Sequence, residues 1–130
     1  MVKLNANLSM LFNEVDFQSR FEQAANFGFK GVEYLFPYDY PVDQLSGLLR
    51  DNQLQQVLFN LPAGNWDAGD RGISCHPERV SEFREGVDKA IEYAAGLDCT
   101  QCNALAGIVP ENCSQDLAKE TFIKPPICSP

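Results

Sequence analysis

Histidine is almost missing from this chain: His76 is the only one in 130 residues. That scarcity excludes histidine-built metal clusters. His76 also has no strand-borne serine or cysteine partner with which to form a nucleophile triad. It precedes Pro77 and reads as a residue that helps start a helix. Basic charge is scarce as well. There are 10 Lys+Arg against 18 Asp+Glu, a net charge of −8, and nothing resembles a patch that could neutralise phosphates. Nucleic acid is therefore not expected as a partner. No apolar run approaches the roughly 18 residues of a membrane span, so no membrane partner is expected either. The opening MVKLNANLSM is too polar for a secretory leader, and the expected compartment is the cytoplasm. No G-x-G-x-x-G or G-K-S/T sits in a strand-to-helix loop, which disfavours the nucleotide-binding folds. The cysteines number 5, an odd count at irregular spacing that argues against a disulfide framework. Cys99 and Cys102 match C-x-x-C, yet they fall in a strand-like segment where residues three apart face opposite ways. Neither a metal nor a redox role is expected of them.

What is present is apolar periodicity. With 45% hydrophobic residues the chain has enough for one core. Leu4, Ala6 and Leu8 alternate with Asn5 and Asn7, a strand signal over Lys3–Ser9. Asp16 is placed to cap a helix with Phe17, Phe21, Ala24 and Ala25 on one face, and Gly28 is placed to stop it. A second strand, Gly31–Leu35, leads to a helix with Pro41 at its first position and Val42, Leu45, Leu48 and Leu49 in its stripe. A third strand, Gln55–Asn60, precedes a long loop and a helix opened by Pro77. Val80, Phe83, Val87, Ile91 and Ala94 line that helix, and Gly96 closes it. A fourth strand, Cys99–Leu105, is followed by a helix capped by Ser114 or Asp116, with Leu117, Ala118, Phe122 and Ile123 in its stripe. Strict strand–helix alternation implies an α/β fold of parallel strands with crossover helices. A flavodoxin-like open sheet and half of a (β/α)8 barrel both satisfy it, since full barrels run to about 250 residues.

Each predicted strand carries a polar residue near its C-terminal end: Asn7, Glu33, Asn60 and Asn103. In a barrel those ends converge on the catalytic face. Glu33 opens into the aromatic stretch Phe36, Pro37, Tyr38, Tyr40 and Pro41, which reads either as pocket wall or as a cap on the core. The loop Leu61–Cys75 is long for a connection that usually takes about 2–6 residues. Gly64, Gly69 and Gly72 are candidate hinges and Trp66 a cover. Arg71 can meet an anionic substrate or can pair with Asp67 or Asp70.

Four collinear blocks carry a resemblance. Ala6–Phe12 (ANLSMLF), Gly31–Tyr38 (GVEYLFPY), Leu58–Gly72 (LFNLPAGNWDAGDRG) and Ala104–Pro110 (ALAGIVP) resemble the hydroxypyruvate isomerase family. That resemblance runs from the first residue to about 123 and implies the N-terminal half of a (β/α)8 TIM barrel of the xylose-isomerase-like kind. It implies interconversion of hydroxypyruvate and tartronate semialdehyde through an enediol, or isomerisation of 2-oxo-tetronates by close relatives. The family's paired catalytic glutamates and metal-binding residues belong to later strands. No catalytic residue and no cofactor is therefore expected on this chain, though a divalent metal can serve full-length relatives. Asn7, Glu33, Phe36, Asn60, Arg71 and Asn103 are the expected contacts to a small hydroxy or keto acid.

The resemblance ends where Lys124–Pro130 begins. Pro125 and Pro126 stop a helix, where the family continues with something like Asn-Leu-Arg-Tyr-Ala-Ala. The codons of the tail can encode that segment after loss of one base. The expectation is thus a partial barrel over 1–123 and a frameshifted or truncated tail over 124–130. Its open strand edges imply self-association. A non-enzymatic half-barrel that binds a hydroxy acid or exchanges with a full-length copy is the alternative.

Overall fold

Strands and helices alternate in the computed structural model, which describes residues 2–124. β1 (Asn5–Asn7) precedes α1 (Ser19–Asn26), and β2 (Gly31–Glu33) precedes α2 (Val42–Asp51). β3 (Gln55–Asn60) leads through a 3-10 turn (Pro77–Arg79) into α3 (Val80–Gly96), and β4 (Cys102–Asn103) precedes α4 (Gln115–Ile123). The sheet order is β1-β2-β3-β4. β1 and β2 are parallel with Asn7 opposite Glu33, and β2 and β3 are parallel with a register shift between Val32 and Glu33. Sequential neighbours joined by helices are the construction of a (β/α)8 wall, so the half-barrel reading holds and the open flavodoxin-like order does not. The proline tail and the reading-frame expectation fall at 125–130, outside the described residues.

Local chemistry explains most boundaries. Gln18, not the expected Asp16, is the cap residue of α1; the Asp16 carboxylate instead accepts from the Ser19 backbone N–H at 3.2 Å and from its hydroxyl at 2.6 Å, fixing the turn that leads into the helix. Gly28 takes φ +85° and ends the segment, as expected. Pro41 sits one residue ahead of its expected place, as the cap of α2 with ψ 141°. Its carbonyl accepts from Gln44 and Leu45 N–H at 3.1 and 3.2 Å, so the missing proline donor is lost outside the helix. The Ser114 hydroxyl, rather than Asp116, caps α4 by accepting from Leu117 N–H.

Four elements differ from expectation. β1 shortens from Lys3–Ser9 to Asn5–Asn7 and β2 from Gly31–Leu35 to Gly31–Glu33, each ending where its polar residue meets the neighbouring strand. In α3 the buried side chains are Phe83, Ala90 and Tyr93, while Ile91 is 61% exposed. The buried line of the helix thus runs from Phe83 through Ala90 and Tyr93, one position off the expected Ile91. β4 shrinks from Cys99–Leu105 to Cys102–Asn103. Asp98 has φ +50° and Cys99 N–H still bonds Ala94 O at 2.9 Å, so the chain is completing the α3 cap there. Beyond Asn103, Ala106 bridges antiparallel to Gly72 instead of extending the sheet.

Contacts divide the chain into two compact units, one holding the chain to Phe59 with Glu92–Cys102, the other Asn60–Ile91 and the chain from Asn103. The first is built on Leu8, Phe21, Val32, Leu45 and Phe59, all essentially inaccessible. Full burial of each such side chain contributes about 1.5–3 kcal/mol relative to exposure. The second is built on Ala63, Ile73, Cys75, Phe83, Ala90 and Ala118.

Candidate functional site

Parallel register sets the first polar group. Asn5 and Asn7 share one face of β1 and stand opposite Gly31 and Glu33. Asn5 Nδ2 donates to one oxygen of Glu33 at 2.6 Å, and Asn7 Nδ2 donates to the other at 3.0 Å. Asn7 is itself held, its Oδ1 accepting from Ser9 N–H at 3.0 Å. Gly31 makes room for this. A Cβ there would come within 3.1 Å of Asn5 Oδ1 and 2.7 Å of the Val57 side chain. Glu33 is therefore a carboxylate fixed by two amides. Asn5 was absent from the expected contacts, although its period-two spacing from Asn7 was the signal for it.

Phe36 lies half-buried in the following loop. Most of its aromatic neighbours belong to the core rather than to a pocket. Tyr40 stacks on Phe17 at 4.9 Å, and Tyr38 meets Tyr93 at 5.1 Å and Phe59 at 6.2 Å, edge to face. Pro37 is fully buried, and Tyr93 Oη donates to Tyr40 O at 2.8 Å. The stretch caps the hydrophobic centre of the first unit, the plainer of the two readings of its sequence.

The second polar group lies in the second unit. Asn103 Nδ2 donates to Asn60 Oδ1 at 3.1 Å, and Leu61 N–H donates to Asn103 O at 2.9 Å. Asn60 is buried and Asn103 exposed. Among the described residues all four strands thus end on the polar residues expected from sequence, Asn7, Glu33, Asn60 and Asn103. Within each unit they meet as pairs, Asn7 with Glu33 and Asn60 with Asn103.

The loop after β3 is ordered by its own polar groups. The Asp70 carboxylate accepts from Asn65 N–H at 2.7 Å and pairs with Arg79 at 2.8 Å. Arg79 also grips Glu82 through two bonds of 2.7 and 2.8 Å. These bonds depress Asp70, first through Arg79 and then through the Asn65 N–H. Glu82 is lowered chiefly by the same Arg79. The alternative in which Arg71 pairs with Asp70 is not what forms: Arg79 makes that ion pair. Arg71 lies over the Trp66 ring, its guanidinium carbon 4.3 Å from the centroid, and donates to the carbonyls of Trp66 and Asp70. Gly64, Gly69 and Gly72 all hold positive φ, so they are turn positions of a formed loop. Ser74 Oγ donates to Leu105 O at 2.8 Å and Cys75 N–H to Ala106 O at 2.9 Å, pinning the far side of the loop.

His76 caps the 3-10 turn only through its carbonyl, which accepts from Arg79 N–H at 3.1 Å. Its ring makes no capping bond. Cys99 is buried and Cys102 exposed, and desolvation raises both thiols above their usual range. Among the described residues no three His, Cys, Asp or Glu side chains gather as a donor set. These residues do not by themselves fit a divalent metal.

A family model described as "Xylose isomerase-like TIM barrel" matches residues 21–124. The chain is 49% identical over 124 residues to a hydroxypyruvate isomerase of Escherichia coli strain K12, covering 95% of this chain and 48% of that protein. It is 48% identical over 123 residues to a 2-oxo-tetronate isomerase of Pectobacterium atrosepticum, covering 95% and 47%. A crystal structure titled AP endonuclease, family 2, from Brucella melitensis superposes with a TM-score of 0.92 at 48% identity, covering 95% of this chain and 48% of that one. The chain spans about half the length of the curated relatives it matches.

Proposed function

The chain belongs to the xylose isomerase-like TIM-barrel family, and from that premise we propose that it is the N-terminal half of an aldose–ketose type isomerase. The reaction is hydroxypyruvate to and from tartronate semialdehyde, with a hydrogen moved between adjacent carbons through an enediol. The observation that carries this reading is the ending of every strand on an amide or carboxylate residue: Asn7, Glu33, Asn60 and Asn103. Strand C-termini form the working face of this fold. Amides and a fixed carboxylate suit a substrate made of hydroxyl, carbonyl and carboxylate groups. Asn7, Glu33, Phe36, Asn60, Arg71 and Asn103 are the proposed contacts.

An enediol route needs one group to take the proton and one to return it. Glu33 is the only carboxylate on a described strand, and both its oxygens already accept from amides. It orients substrate rather than exchanging protons, so this chain alone is inactive. The 2-oxo-tetronate reaction is the second reading, favoured by an identity of 48% beside the 49% of the hydroxypyruvate isomerase. A DNA substrate is not supported by a net charge of −8. Among the described residues no helix is long and apolar enough to cross a membrane, and we place the protein in the cytoplasm.

The test is a fusion of residues 1–123 to the second half of the E. coli relative. The fusion is expected to isomerise hydroxypyruvate while the unfused chain does not. A folded but inactive fusion, tried on hydroxypyruvate and on 2-oxo-tetronates, overturns the proposal.

A further inference from the structure

The substrate proposed above is an acid, and, resting on that reading, the geometry points to Arg71 as the residue that grips its carboxylate through one edge of the guanidinium. A guanidinium carries five N–H donors: two on each Nη and one on Nε. Arg71 Nη1 donates to Trp66 O at 3.0 Å and to Asp70 O at 2.7 Å, which occupies both of its hydrogens. What remains is the Nε–Nη2 edge, whose parallel donors match the two oxygens of a carboxylate.

That edge is set before any ligand arrives. Two carbonyls fix one end of the group, and the Trp66 ring, 4.3 Å from the guanidinium carbon, fixes its plane. Trp66 is thus a positioning residue, which reduces the ordering cost of binding. The positive charge also meets no carboxylate among the described residues. Arg79 carries the ion pairs to Asp70 and Glu82, whereas Arg71 forms none among the described residues. Arg71 is solvent-exposed on the loop that leaves the C-terminal end of β3.

The chemistry gives such a contact a defined role. Isomerisation moves a hydrogen between the other two carbons of the acid and leaves the carboxylate unchanged. A grip on it holds reactant and product alike, so it sets affinity and the choice of acids over neutral sugars, not the rate of proton transfer.

The test is a titration of the nitrogen-15-labelled chain with glycerate, and with glycerol as the neutral counterpart. The Arg71 Nε–H signal and the indole N–H of Trp66, the single tryptophan, are expected to shift to saturation with glycerate and to stay in place with glycerol. In Arg71→Lys the charge remains but the fork is lost, so the Trp66 shift is expected to need about tenfold more glycerate. Absence of a saturable shift in the wild-type chain overturns the inference, as does equal binding by the lysine variant. The isomerase reading is scored separately by the fusion. Activity without a grip at Arg71 sinks this inference alone, and a grip without activity sinks only the isomerase reading.

Discussion

Asp70 is the residue on which the loop after β3 turns. Its carboxylate gathers the Asn65 N–H and the Arg79 guanidinium, and this lowers its pKa below the ordinary 3.8. A depressed acid contributes stability that is complete above its unfolded value and is lost as pH falls through the folded one. Glu82 adds a contribution of the same sign through Arg79. Wild-type stability in urea is therefore expected to fall as pH drops below about 4, and Asp70→Asn to be less stable at neutral pH with a flatter acid limb. Parallel acid limbs in the two proteins would count against Asp70 as the hub. Sequence exposed part of this arrangement. Asn7 and Glu33 were legible because strand alternation and carboxylate cost both single them out. The choice of Arg79 over Arg71 as the partner of Asp70 was not legible. It depends on the backbone path from Gly64 to Gly72, which spacing alone does not define.

At the level of elements, β3 matched its expected bounds because a run of six residues between turn signals leaves little freedom. β4 did not, because the chain leaves α3 through left-handed Asp98 and then turns Ala106 back towards Gly72. Those are tertiary choices with no local signature. The Gly72 bridge makes a sharp prediction. Gly72 has φ +108°, and a Cβ there would collide with the Leu105 carbonyl. Gly72→Ala is expected to cost about 2 kcal/mol in chemical denaturation, from strain together with a displaced bridge. A loss under about 0.5 kcal/mol, the size of an ordinary surface change, would show that the bridge is dispensable.

For the whole molecule, β1 is an edge strand flanked by Val2 and Leu4, which are 83% and 64% exposed. An open edge beside apolar side chains is a template for pairing with another chain. We propose self-association through it. Sedimentation is expected to show concentration-dependent assembly that Leu4→Lys weakens, and a monomer at every concentration would contradict this. At this scale we propose that the chain shapes the substrate wall and leaves proton transfer to carboxylates it does not carry. Deuterium uptake by hydroxypyruvate in heavy water, followed by proton NMR, tests that most directly. Uptake with the chain alone is expected at the uncatalysed rate. Faster uptake, lost in Glu33→Gln, would contradict it and make Glu33 the base.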